Sequence, residues 1–283
     1  MADAFARDSV IRRVNSEPAI LFGAGRALIL QLAHPHVAAG VAQHSDFQHN
    51  PFKRLQGTLE AVYTMVHGSA ELADGVGRRV RWIHEFVTSP TYRANDPENL
   101  LWVHATLLDS ALGCYQRLVE PLSPADVETY YKEMTAVAER FGCPRSAQPR
   151  DYAAFQAYWD EQVGSIVVTD DGRRLAADVL SPRRMPRNLH LPLKPALAIQ
   201  RLVAIGTTPE PLRAQFGWGW DEGKQRRLER LHSLTLNVNS RVPRAVRVAP
   251  VHLHGRYLLH QARKHVAAHD ARAAASPGAS VAV

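Results

Sequence analysis

Residues 100–115 read Leu-Leu-Trp-Val-His-Ala-Thr-Leu-Leu-Asp-Ser-Ala-Leu-Gly-Cys-Tyr. At about 100° per residue, Leu100, His104, Leu107, Leu108, Ala111 and Tyr115 share roughly a quarter of a helix circumference, with Trp102, Thr106 and Asp109 opposite. His104 therefore stands in a stripe of leucines. A neutral imidazole is tolerated there when its nitrogens find partners, so one reading is a core histidine bonded to a carbonyl. The other is a metal ligand: an apolar helix face presenting one histidine suits the flat, apolar face of a haem, which takes one axial nitrogen from such a helix.

The neighbouring segments are helical as well. Upstream, Asn95-Asp96-Pro97 provides capping chemistry and an early proline, so the His104 helix starts there and ends towards Pro121. Downstream, Ser123-Pro124 opens a helix that Gly142 closes, and Tyr152 to Gly164 forms another. Towards the N-terminus, Ala19 to Ala33 reads as one long buried helix stopped by His34-Pro35. After Pro35 comes Val37-Ala-Ala-Gly-Val-Ala42, then a turn-rich connection from His44 to Pro51, and then a helix from Pro51 to Val66. A loop containing Gly68 and Asp74-Gly-Val-Gly77 precedes a helix near Gly77 to Thr88. Residues 181–195 hold Pro182, Pro186, Pro192 and Pro195 and read as an ordered crossing loop. Helices near 196–206, 209–216, 223–240 and 252–269 complete the body. Period-two alternation is nearly absent, so the expected fold is all-α: a single multi-helix domain over residues 19–265, with a lead segment 1–18 and a flexible tail 266–283.

The composition is that of a globular protein, 283 residues with 46% hydrophobic. No run reaches a membrane span, since Ile20 to Ala33 contains Arg26 and two glycines. The two cysteines, Cys114 and Cys143, make neither a zinc spacing nor a disulfide framework, which fits a reducing cytoplasm. Twin-arginine export, from Arg12-Arg13 followed by Ile20 to Ala27, is the alternative location. The net charge of +7 is unevenly placed. Residues 1–182 carry 17 Lys/Arg against 22 Asp/Glu, a balance of −5, and residues 183–265 carry 16 against 4, a balance of +12. No helix-turn-helix, finger or ribonucleoprotein motif accompanies that basic region, so nucleic acid is not an expected partner. A solvated basic face, peripheral membrane contact or charge near an anionic cofactor are the readings left.

On the helix from Pro51, residues Arg54, Thr58, Ala61, Val62 and Met65 share a face. An arginine and a threonine one turn apart there can hydrogen-bond one small polar ligand or a cofactor carboxylate, or stand as an ordinary surface pair. A di-iron carboxylate site needs two Glu-x-x-His motifs, and only Glu229-Arg-Leu-His232 is present. Zinc hydrolysis is disfavoured because His84-Glu85 lacks a second histidine at the required spacing. His34, His36, His44 and His49 flank two prolines and read as structural, with His44 the one that could reach a pocket.

Three ordered segments carry a likeness to a known family: Gln31-Leu-Ala-His-Pro-His-Val-Ala-Ala-Gly-Val-Ala-Gln-His-Ser-Asp-Phe47, Pro51-Phe-Lys-Arg-Leu-Gln-Gly-Thr58, and Leu101-Trp-Val-His-Ala-Thr106 continuing to Asp109. Together with Tyr130-Tyr131, Phe141-Gly142, Tyr158-Trp159-Asp160 and the Pro/Arg-rich region from Pro209 to Pro250, they resemble the MpaB and rubber-oxygenase (latex-clearing protein) catalytic-domain family over roughly residues 15–250. The resemblance implies an all-helical protein binding haem b, with His104 as the iron ligand, Leu108 against the cofactor, and Arg54 and Thr58 on the open, oxygen-binding side. It implies oxidative attack by O2 on a hydrophobic, unsaturated or isoprenoid-like substrate. Arg54, always protonated, would then face the negative charge that develops on the oxygen side, and Thr58 would add a hydrogen bond or hold Arg54. Gly57 stands where rubber-cleaving relatives have a lysine able to cap the iron, so a sixth protein ligand from that place is excluded. A haem carrier or sensor without turnover is the alternative function.

Overall fold

The computed structural model describes residues 2–44, 51–89, 92–181 and 187–275, without the side chains of 51–55 and 187–191. The chain runs through α1 (Val10–Asn15), a 3-10 helix (Pro18–Gly23), α2 (Ala24–Ala33), α3 (Pro35–His44), α4 (Pro51–His67) and α5 (Ala70–Glu85). A two-residue hairpin of β1 (Thr88–Ser89) and β2 (Tyr92–Arg93) follows, antiparallel, with Thr88 opposite Arg93 and Ser89 opposite Tyr92. Then come α6 (Pro97–Leu118), α7 (Pro124–Arg140), α8 (Tyr152–Ser165), α9 (Asp170–Leu180), α10 (Arg187–Thr207), α11 (Glu210–Gln215), α12 (Glu222–Arg241) and α13 (Arg244–Ala275). The protein is all-α, as its periodicity predicts.

Six helix starts are written in capping residues. Ser69, Asp96, Ser123, Asp151, Thr169 and Asp221 each accept a hydrogen bond from a first-turn amide of their own helix, satisfying one of the donors that a helix N-terminus leaves open. Gly142 follows α7 with φ +105°, a left-handed conformation that glycine adopts without penalty.

α6 is the central element, with thirteen of its 22 residues buried. Leu108, Leu112 and Tyr115 join Ile11 of α1, Met65 of α4, Val76 of α5 and Tyr130 of α7 in one core cluster. Trp102 belongs to a second, with Ile29 and Leu30 of α2, Leu175 of α9, Ala204 of α10 and Leu212 of α11. Leu100 and Leu101 pack with Ala138 and Cys143 in a third. One helix thus ties the core together, and its orientation is set from several sides.

The structure departs from the sequence reading where packing overrides local signals. The expected single helix over 19–33 is a 3-10 turn followed by α2, broken at Gly23, where a Cβ would meet the Ser110 carbonyl of α6 at 2.9 Å. Pro35 is the first residue of a new helix, α3, which runs through Val37–Ala42 to His44; residues 45–50 of the expected turn-rich connection lie outside the described residues. Asp74-Gly-Val-Gly77 lies inside α5 and not in a loop. A Cβ on Gly75 would strike Val266 of α13, and one on Gly77 the Arg140 carbonyl, so these glycines permit close helix approach. α9 has no counterpart in the sequence reading. Pro192 and Pro195, expected in a crossing loop, sit inside α10, where residues 192–196 are exposed. α13 starts earlier than expected and continues to Ala275, into the stretch read as a tail, with Asp270 paired to Arg78 of α5 and His269 packed on Trp82.

Candidate functional site

The side of α6 opposite the leucine stripe is fixed by polar contacts. Trp102 donates its indole N–H to the Leu30 carbonyl of α2 at 3.0 Å and stacks on Trp159 of α8. Arg26 of α2, 5% exposed, donates Nε to the Thr207 carbonyl at 2.7 Å and Nη1 to Ser110 Oγ at 2.9 Å. It also pairs with Asp109 at 2.6 Å and lies over the Trp159 ring. A buried guanidinium is tolerated when its donors are met and its charge is opposed, and both conditions hold here. Four elements, α2, α6, α8 and α10, converge on this one arginine. The sequence signal for it was a charge interrupting an apolar run, read there only as evidence against a membrane span.

With that side pinned, the leucine stripe faces the other way. His104 is 8% exposed, between Leu100 and Leu108, which are also buried. Its Nε2 has no hydrogen-bond partner among the described residues. Burial lowers the imidazole pKa to about 4, so the ring is neutral near pH 7 and keeps a lone pair. A neutral, buried and unpartnered imidazole nitrogen is a ligand-competent donor.

His104 and Leu108 are thus brought onto one buried face, as the helical period predicts. Thr58 lies on α4 and is exposed, while the Arg54 side chain lies outside the described residues. The face Thr58 shares with Ala61 and Met65 passes from exposed to fully buried along α4, and Ala61 and Met65 join the cluster that contains Leu108. Among the described residues, a Cβ on Gly57 would meet nothing within 4 Å. Glu60, the buried carboxylate nearest Thr58 in sequence, turns to the other side of α4 and bonds to His265 Nδ1 of α13 at 2.8 Å.

Among the other histidines, His34 ends α2 beside Trp102. Its Nδ1 is unpartnered among the described residues, and burial, with His36 nearby, lowers its pKa to about 4. His44, the histidine expected to be able to reach a pocket, is exposed and bonds the Thr88 carbonyl at 2.9 Å, so it ties α3 to the hairpin. His49 lies outside the described residues. Among the described residues, no group of three or more His, Cys, Asp or Glu side chains converges as a metal cluster, and Glu229 takes the Gln225 amide at 2.8 Å. His34 Nδ1 and His67 Nε2 are likewise buried and without a partner among the described residues, and His104 differs from them in standing between the leucines of α6.

Residues 11–236 match the family described as ER-bound oxygenase mpaB/B′/rubber oxygenase, catalytic domain, and the chain belongs to that family. The match takes in both His104 and Thr58 and stops before α13. Two uncharacterized proteins, one from Mycobacterium bovis and one from Mycobacterium tuberculosis, are each 26% identical over 231 residues, covering 76% of this chain and 87% of the relative. No solved structure matches the chain. The protein therefore carries an oxygenase catalytic domain. Among the described residues, no helix is long and apolar enough to cross a membrane.

Proposed function

We propose that the protein is a haem-b-dependent oxygenase acting on a hydrophobic, unsaturated or isoprenoid-like substrate, with His104 as the protein ligand to the iron. The observation that carries this reading is the buried Nε2 of His104, without a partner among the described residues and set between the leucines of α6. Leaving a buried polar nitrogen without a partner costs about 1–3 kcal/mol, a cost that a bond to a metal removes. The flanking Leu100 and Leu108 offer the apolar wall that a porphyrin face requires, so the residues present fit the group.

When bound, the haem supplies the activation of oxygen. The chain's own groups do the rest. Leu100, Ala105 and Leu108 exclude water from the imidazole, and the Arg26–Asp109 contact holds the helix that aims it. Arg54 stands one turn before Thr58 on α4 and would supply a permanent positive charge beside an anionic group, with the Thr58 hydroxyl adding a hydrogen bond. Gly57 leaves the approach between them unobstructed by a side chain of its own.

The test is a visible spectrum of protein expressed with ample haem, beside His104→Ala. A Soret band and a pyridine-haemochrome content of about one haem per chain, both lost in the variant, are expected for a single histidine ligand. Colourless protein, or a band that the substitution leaves unchanged, overturns the assignment. Turnover of unsaturated lipids that falls in Arg54→Ala while haem content is retained separates an oxygenase from a haem carrier or sensor.

A further inference from the structure

α13 lies beyond the matched catalytic domain and packs on it through one face. Val248, Gly255, Leu258 and Ala262 are buried, Tyr63 of α4 sits against Gly255, and Val266 packs on Gly75 of α5. At about 100° per residue, Val246, Pro250, Leu253, Tyr257 and Lys264 fall on the opposite side, within about 60° of one another. All five are exposed, Leu253 at 72% and Val246 at 61%. A surface helix normally turns polar residues outward, whereas the first half of α13 carries apolar residues on both sides.

The charges around that stripe are of one sign. α13 holds Arg244, Arg247, Arg256, Arg263, Lys264 and Arg272 against the single acid Asp270. Arg247 forks onto the buried carboxylate of Glu17 at 2.9 and 3.1 Å, and Arg244 reaches the same group. Asp270 is taken by Arg78 and His269. Arg256, Arg263 and Lys264 are exposed, and none forms an ion pair with a carboxylate among the described residues.

We propose that the outer stripe of α13 docks the protein on an anionic phospholipid bilayer, with Val246, Leu253 and Tyr257 entering the headgroup boundary and Arg256, Arg263 and Lys264 meeting lipid phosphates. Charge complementarity selects this occupant. A second copy of the chain would bring the same cations face to face, and nucleic acid would meet the arginines but offer nothing to the aliphatic side chains. The stripe also reaches the catalytic domain near its second motif, because Tyr257 Oη accepts from Gln56 Nε2 at 3.1 Å, between Arg54 and Thr58. Docking thus brings the first turns of α4 towards the bilayer in which a lipophilic substrate dissolves. That consequence rests on the oxygenase reading, while the docking itself does not.

The experiment is flotation of the full-length protein with vesicles of phosphatidylcholine alone or mixed with phosphatidylglycerol, needing neither haem nor turnover. Wild type is expected to float with the mixed vesicles and to remain below with the neutral ones. Affinity should fall about fivefold for each of Arg256→Gln, Arg263→Gln and Lys264→Gln, and about tenfold or more for Leu253→Ser. Because these side chains are exposed, unchanged thermal melting verifies that the variants are folded. The proposal is overturned by the absence of binding to mixed vesicles, or by binding that none of these substitutions weakens. It is equally overturned by a dimer in solution that Leu253→Ser converts to monomer, which would assign the stripe to self-association.

Discussion

Replacing His104 with leucine should stabilise the protein prepared without haem, and by an amount that grows as the solution is acidified. Leucine is close to histidine in size, so the core is neither emptied nor overfilled, and the unpartnered Nε2 disappears. Removing that buried unsatisfied atom is worth about 1–3 kcal/mol near pH 7. The pH dependence adds to it. His104 has its pKa lowered by burial from 6.5 to about 4. Between those values the unfolded chain binds a proton that the folded chain refuses, so the wild type loses stability as pH falls through that window. At about 1.4 kcal/mol per pH unit the wild type forfeits about 3 kcal/mol by pH 4, and the leucine variant does not. His34 and His67, lowered by burial to about 4 and about 3, contribute in both proteins and cancel in the difference. Urea unfolding of both proteins at several values between about pH 7.5 and pH 4.5 measures the gap across that window. A variant less stable than wild type, with a gap that does not change with pH, would mean that the His104 ring makes a stabilising bond in the protein. The ligand reading would then lose its main support.

Two further substitutions probe the frame that aims His104. Arg26→Met leaves Asp109 and the Thr207 carbonyl without their partner and should cost about 3 kcal/mol in urea unfolding, with Asp109→Leu added to it recovering part of the loss. Gly255→Ala places a methyl group where the Tyr63 ring sits, displacing that ring and its 3.2 Å contact with His252 Nδ1. It should cost about 1–3 kcal/mol, with faster amide exchange at the α4–α13 contact, and unchanged exchange would show that the two helices are not locked there.

What was legible in the sequence is local. Ser123, Asp96 and Gly142 mark the ends of their helices because capping is chemistry between residues a few positions apart. The stripe of Leu100, His104 and Leu108 is readable because a helix repeats every 3.6 residues, so spacing alone assigns them one face. The second motif is legible only in part: Thr58 and Met65 share a side of α4 as the period requires, but that Thr58 is exposed and Met65 fully buried depends on what packs against each turn.

The sequence by itself determined an all-α chain, the ends of several of its helices and the apolar setting of His104, since propensity, capping and period act over a few residues. Only the tertiary structure decided that Asp74-Gly-Val-Gly77 is helix, because its glycines are needed where Val266 and the Arg140 carbonyl approach. It alone decided that Arg26 is a buried clamp on α6, since its partners Ser110, Asp109 and Thr207 stand as many as 181 positions away. It decided too that Nε2 of His104 has no partner among the described residues, because whether a buried nitrogen meets a carbonyl depends on which backbone lies opposite. Contacts between distant segments leave no period and no fixed spacing in the chain, so they become visible only once the helices are packed.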